Sequence, residues 1–473
     1  MTARTIFGAY EPDKPAYLQD GLTDMGNAYP RANGYSPVGA FGAITPALPA
    51  NFNGGVAYVA SDLSGVLIGG TEDGLYRGSV TAWTPLATGL SGNNRWAFTQ
   101  FGDLAIAVNG GPTKKIDLIT NAVADVTGAP TAACVATVRD FVVYGQADGN
   151  AALVQWSGFN NADSNVPGAN QAGYQPMLAG GVVMGIAGGE YGIIVQRGRI
   201  VRMSYTGDST VPFQFDEISS NIGAISRGSI AQADKLVFFL SDKGFMVCDG
   251  TGVKPIGHER VDATFFKRFQ RSTLDQMYCA IDPRKNIAAW VMPGNTGAVF
   301  LYDWALDRWA VLSLDIAAAF SGFTANLTLE EIDALYPGGI DTIPYSLDDE
   351  RFSGGDPLLL IVNNDNFVGS LSGANIAAWF TTPFVEYTQG RETRFREARP
   401  IGDAVSGVTI TLDSRARLGD GPATTSTGAL NATGRMPVRS AGRYTKARLD
   451  FADSAVWTFQ QGVELEKAAG RKR

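Results

Sequence analysis

Gly74-Leu75-Tyr76-Arg77, Lys115-Ile116-Asp117-Leu118, Val154-Gln155-Trp156-Ser157, Val201-Arg202-Met203-Ser204, Met246-Val247-Cys248-Asp249, Leu301-Tyr302-Asp303-Trp304 and Phe367-Val368-Gly369 are variants of one phrase. In each, a short strand follows a Gly-marked turn and often ends on a polar residue. Measured from Tyr76, Asp117, Trp156, Met203, Val247, Tyr302 and Val368, the intervals are 41, 39, 47, 44, 55 and 66 residues. A period of about 40–45 residues holding several short strands is what a four-stranded propeller blade requires. The phrase therefore predicts an all-β protein whose residues 51–385 form a degenerate six- or seven-bladed β-propeller.

The two long intervals have causes in the sequence. Phe265, Phe266 and Phe269 fall on one helical face within Val261–Phe269, which predicts a short helix inserted between two blades. In the stretch 325–355, Thr328-Leu329-Glu330-Glu331 has the spacing of a capping box. Leu329, Ile332 and Leu335 continue it as an apolar stripe, and Pro337-Gly338-Gly339 ends it.

Outside the repeat the text changes. Residues 1–50 hold six prolines and six glycines with little periodicity, and are expected to be an extended arm that either wraps the following domain or reaches a neighbour. Deleting such an arm would leave a soluble propeller of reduced assembly state. After Glu386, Val408-Thr409-Ile410-Thr411-Leu412 and Lys446-Ala447-Arg448-Leu449-Asp450-Phe451 alternate apolar and polar residues, so 386–473 reads as a β-sandwich-like domain. Within it, Gly419–Gly434 is Gly/Thr/Ala-rich and is expected to be a loop with no core of its own.

Charge is divided unevenly. The chain of 473 residues carries a net −8, but residues 391–473 hold 15 Lys and Arg against 9 Asp and Glu, a surplus of +6 that leaves −14 for the rest. The candidate assembly surface is this basic end, with Arg391, Arg394, Arg396, Arg399, Arg435, Arg439 and Arg443. Arginine suits bidentate pairing with carboxylates on a partner, and the bland alternative is intramolecular ion pairing across the sandwich. An acidic body argues against general DNA coating.

Catalytic chemistry finds little purchase. His258 is the sole histidine, which removes most Ser-His-Asp, Cys-His and His-based zinc arrangements. No phosphate-binding Gly-rich loop or dinucleotide fingerprint is present, so no cofactor is expected. Asp348-Asp349-Glu350-Arg351 is the densest carboxylate cluster, and its Ser/Gly surroundings read as a solvated loop. Asn363-Asn364-Asp365-Asn366 and Asn160-Asn161-Ala162-Asp163 offer oxygen ligands without calcium-loop spacing, and turns are the better reading. Cys134, Cys248 and Cys279 are odd in number and set in apolar contexts, which predicts buried thiols in a reducing compartment and no metal site. No apolar run reaches the roughly 18 residues of a spanning helix, and the start lacks the pattern of a secretory leader.

Three phrases together resemble the packaged-DNA stabilisation, or tail nozzle, proteins of short-tailed bacteriophages. The middle one runs Ile218-Ser219-Ser220-Asn221-Ile222-Gly223-Ala224-Ile225-Ser226-Arg227-Gly228-Ser229 through Leu236–Phe245, Asp249-Gly250, Pro255-Ile256-Gly257 and Val261-Asp262. The opening one is Gly21-Leu22-Thr23-Asp24, Asn27-Ala28-Tyr29-Pro30 and Tyr35-Ser36-Pro37; the closing one is Gly442-Arg443-Tyr444, Trp457, Gln461-Gly462-Val463 and Ala469-Gly470-Arg471. The resemblance implies a non-enzymatic virion protein, assembled in the bacterial host cytoplasm into a homohexameric ring. Such a ring lies below the portal and its head-to-tail adaptor, meets tail needle, fibre or spike proteins, and encloses DNA without sequence-specific binding. The alternative from the residues is a glycan-binding propeller, for which Trp83, Trp96, Trp156, Trp290, Trp304, Trp309, Trp379 and Trp457 are the candidate platforms; their differing offsets from the phrase suit core residues better.

Overall fold

The repeated phrase marks the third strand of every blade. In a computed structural model that describes residues 2–17, 20–294, 298–323, 338–339, 342–343, 357–421 and 424–468, seven four-stranded antiparallel sheets follow one another along the chain. Their third strands are Gly74–Gly78, Lys114–Asp117, Leu153–Trp156, Ile200–Tyr205, Gly244–Cys248, Ala298–Asp303 and Phe367–Asn375. The first strands of neighbouring blades pack on one another around the axis, as Gly55–Val59 does on Ala97–Phe101 and Ala97–Phe101 on Cys134–Val138. Central strands such as Ile287–Met292 are buried along their whole length, being covered on both faces by adjacent blades. The blade count left open by the degenerate repeat is seven.

The seventh blade is completed from the other end of the chain. Its strands run Ala318–Phe323, Pro357–Val362, Phe367–Asn375 and then Gly39–Ala47, with Leu371 opposite Phe41 and Ser370 opposite Gly42. A side chain at Gly369 would collide with the Gly42 carbonyl oxygen, so the closing strand sits against bare backbone there. The stretch 325–355, with its expected helix and its carboxylates Asp348, Asp349 and Glu350, lies outside the described residues apart from Gly338, Gly339, Thr342 and Ile343.

The rest of the N-terminal region is not a separate arm, and the boundary at 50 must be redrawn. Thr2–Ile6, Ala28–Arg31 and Gly34–Pro37 join Gln460–Lys467, Thr393–Gly402 and Met436–Gly442 in one six-stranded sheet. Asp24–Gly26 joins Ala378–Thr381, Val385–Glu386, Tyr444–Phe451, Val408–Arg415 and Thr424–Ala429 in the other. The expected sandwich therefore exists, but the strands between Thr2 and Pro37 are part of it, and so is Ala378–Thr381, which moves its start back from 386. Its strands alternate as the sequence predicts: Val408, Ile410 and Leu412 point inward opposite Ala447, Leu449 and Phe451. The stretch expected to be a coreless loop contains the strand Thr424–Ala429, which pairs with Val408–Arg415 and faces Met436–Gly442 through hydroxyls. Ser426 Oγ accepts from Arg439 N at 2.8 Å, and Thr424 Oγ1 accepts from Ala441 N at 3.2 Å.

Propeller and sandwich share one core. A continuous cluster of buried side chains runs from Phe238, Phe245 and Trp290 in blades 5 and 6 through Phe7 and Tyr35 to Phe380 in the sandwich. Phe7 stacks on Phe380 with ring centroids 5.2 Å apart. Asn27 pins the joint: its backbone N–H donates to Val311 O at 3.0 Å, its Oδ1 accepts from Ser313 N at 2.7 Å, and its Nδ2 donates to Ala377 O at 2.7 Å.

The short helix expected over Val261–Phe269 is α1 (Asp262–Arg268), with Phe265 fully buried. No side chain of its own flank caps it; Asp13 does so from about 250 residues away, accepting from Ala263 N at 2.7 Å and Thr264 N at 2.8 Å. Asp262 itself is buried. Its Oδ1 accepts from Phe245 N at 3.1 Å while its Oδ2 has no partner, and burial, reinforced by Asp13, raises its carboxyl to about 6. The native state thus binds this proton more tightly than the unfolded chain, whose Asp titrates near 3.9, so stability from this group is present at low pH and falls as pH rises from about 4 to 6. Asp262→Asn should remove that decline: relative to wild type its melting temperature should be higher at pH 7.5 than at pH 5, and a gap that does not change with pH would refute the assignment.

Candidate functional site

Two places in the fold gather charge: the outer face of the first sandwich sheet and the axial cavity of the propeller. The outer face forms because Thr393–Gly402 turns alternate residues outward. Arg394 and Arg396 face solvent with Arg399 past an irregularity in register, and Arg439 projects beside them from Met436–Gly442, with Arg435 in the turn before it. Arg391 and Arg443 sit at the end of the sheet, where Thr393 pairs with Gly442. The sequence thus places five of its seven candidate arginines on one face and two at its margin.

That face is a mixed-charge ladder rather than an arginine patch. Arg394 pairs with Glu392 at 3.2 Å, Arg399 with Glu397 at 3.1 Å, Arg435 with the other oxygen of Glu397 at 3.3 Å, and Arg443 with Glu386 at 2.7 Å. Arg396 is hydrogen-bonded to Glu466, which it holds below the usual carboxylate range. Glu464, on the same strand as Glu466, lies 3.8 Å from Arg4 of the N-terminal strand. The bland reading of intramolecular pairing is therefore what the geometry shows for these arginines. Among the described residues, Arg391 and Arg439 are exposed and have no ion-pair partner. Solvent screens pairs as exposed as these, so the ladder is weakly held and open to exchange with a partner's charges.

The axial cavity was not read from the sequence. It has a volume of about 540 Å³ and is lined at the entry ends of the inner strands by residues from all seven blades, among them Phe52, Asn94, Met184 and Phe320. Two guanidinium groups cross it. Arg95, entering blade 2, donates through Nη1 to Met277 O at the entrance to blade 6 and lies over the Tyr278 ring at 3.8 Å from its centroid. Arg227, entering blade 5, donates to Asn94 Oδ1 at 3.0 Å and to Ala133 O at 3.4 Å. Their only common feature in the sequence is a basic residue just ahead of an inner strand, and only the ring topology brings them together.

The remaining candidates are turns and core. Asn363 Oδ1 accepts from Asp365 N and Phe367 N, and Asn161 Oδ1 accepts from Asp163 N, so both Asn/Asp runs form turns. His258 is exposed. Cys134 and Cys248 are buried and Cys279 half-buried, all as free thiols. Among the described residues no group of three or more His, Cys, Asp or Glu is placed to hold a metal ion, and no helix is long and apolar enough to cross a membrane.

A seven-bladed β-propeller closed by an N-terminal strand and fused through a shared core to a β-sandwich is the class these observations define. No family model and no curated protein matches the sequence. Among solved structures, the chain is similar at 12% identity to the extracellular domain of BT4673 from B. thetaiotaomicron, over 81% of this chain and 48% of that one, with a TM-score of 0.44. RRP9 WD40 repeats match over 60% of this chain and 88% of that one at 10% identity and TM-score 0.37, and BBS1N, in complex with ARL6DN, over 70% and 99% at 11% and 0.39. The chain spans about half the length of the BT4673 domain.

Proposed function

We propose that the chain is a structural virion protein, the tail nozzle subunit of a short-tailed bacteriophage, that forms a ring below portal and adaptor around the DNA exit path. The observation that supports this most is where the three resembling phrases lie. The opening phrase and the described part of the closing one, some 400 residues apart, lie in one sandwich, where Tyr35 pairs with Gln460 beside the closing phrase. The middle phrase runs from the last strand of blade 4 through blade 5 to α1, which shares its core with that sandwich and is capped by Asp13. The resemblance thus follows one contiguous body rather than scattered segments.

In this reading the six copies contact one another through propeller and sandwich surfaces, because the strands between Thr2 and Ala47 are engaged within their own chain. The DNA path is the axis of the ring. The bore of each propeller is spanned by Arg95 and Arg227 and admits no duplex. An acidic body suits a channel wall, since repulsion of phosphate lets the genome slide. The glycan reading is disfavoured because none of the eight tryptophans is exposed; Trp96, Trp156, Trp290, Trp309 and Trp457 are buried, and the first four donate their indole N–H to backbone carbonyls.

Docking of the basic face on an acidic adaptor surface is the testable part. Reversing Arg394 and Arg396 to Glu should abolish attachment to portal–adaptor complexes in a pull-down while the isolated chain keeps its circular dichroism. Tight, salt-sensitive binding of duplex DNA by the wild-type chain, lost in the double variant, would instead place this face against the genome.

A further inference from the structure

We infer that the axial cavity is a binding site for a small organic anion, a phosphate monoester or carboxylate with an apolar body. Arg95 and Arg227 are half-buried, and among the described residues neither has a carboxylate within ion-pair distance; Asp275 lines the same cavity and acts on Arg95 from further off. Each guanidinium has five donors. The hydrogen bonds described above use only Nη1 of each, and Arg227 Nε is buried with no partner. Burial is the main cause that makes the charge on Arg95 less favourable than in water; Tyr278 and Asp275 offset part of this, and the neighbouring Arg227 adds to it. Two like charges facing each other in a recess are stabilised by an anion between them, and the unused donors have the fork geometry that matches phosphate or carboxylate.

The cavity wall defines the rest of the ligand. Phe52 and Phe320 stack with centroids 5.4 Å apart, Tyr278 tilts against Phe52 at 6.3 Å, and Met184 and Ile230 add apolar lining from blades 4 and 5. A volume of about 540 Å³ lies within the roughly 300–1,000 Å³ usual for small-molecule sites, which combine apolar walls with a few polar groups that fix orientation. An aromatic or aliphatic anion fits this lining; a bare inorganic ion would leave the apolar part unused.

The site is independent of ring assembly and can be tested on the full chain by calorimetry and by the fluorescence of Trp96, which lines the cavity. Phenyl phosphate and benzoate are the organic probes and inorganic phosphate is the comparison. At least one organic probe should bind one to one and at least tenfold more tightly than inorganic phosphate, and Arg95→Met or Arg227→Met should weaken it at least tenfold. The exposed Arg417→Met should leave binding unchanged. Arg227→Lys keeps the charge but loses the fork; it should retain the fold and bind with intermediate strength. No binding of any probe at millimolar concentration, equal affinity for inorganic and organic anions, or unchanged affinity in the folded Arg227→Lys and Arg95→Met proteins would each overturn the assignment.

Discussion

Removal of residues 1–47 should abolish soluble, cooperatively folded protein rather than trim an appendage. The deletion strips the outer strand Gly39–Ala47 from blade 7 and leaves Phe367–Asn375 with an unpaired edge, a template for aggregation. It also takes Phe7, Leu22, Met25 and Tyr35 out of the shared core, each at most 2% exposed, and uncaps α1 by removing Asp13. Losing several fully buried large side chains at about 2–5 kcal/mol each exceeds the 5–15 kcal/mol by which native proteins are usually stable. The soluble fraction on expression and light scattering of whatever is recovered decide the matter. A monodisperse, folded product would restore the picture of a detachable arm.

Truncating Phe380 to alanine should be the most damaging single substitution in the sandwich, costing about 3–5 kcal/mol by the usual range for buried Phe→Ala changes. Phe380 is fully buried and touches rings from both termini: Phe7 at 5.2 Å, Tyr35 at 5.1 Å, Phe451 at 5.9 Å and Trp457 at 6.2 Å between centroids. A double-mutant cycle with Phe7→Ala should give a coupling of about 0.5–3 kcal/mol, as residues in contact do. Because the core continues into blades 5 and 6, the Phe380→Ala protein should still lose sandwich and propeller in one urea transition. Two separated transitions would mean that the domains fold independently.

The propeller was legible in the sequence because the third strand of each blade lies between other strands and between other blades, which selects the same short apolar run seven times. The role of the N-terminal region was not, since Thr2–Ile6 and Gly39–Ala47 each find their partners more than 300 residues away and are too short to show a period. Thr424–Ala429 escaped for another reason. Its sheet-facing contacts are made by the Ser426 and Thr424 hydroxyls and by Gly428 against Pro437 rather than by apolar side chains, so its composition reads as loop. The arginines of the basic face were visible as residues, but their neutralisation by Glu466 and Glu386 depends on strand register. Arg95 and Arg227 gave no signal, because only closure of the seven-membered ring places them in one cavity.

Electron-microscopic class averages of the purified chain at tens of micromolar bear most directly on the central claim. Closed rings of six copies around an open axis, each copy with a propeller and a sandwich lobe, are the predicted result. Particles of single-chain size at every concentration would contradict it.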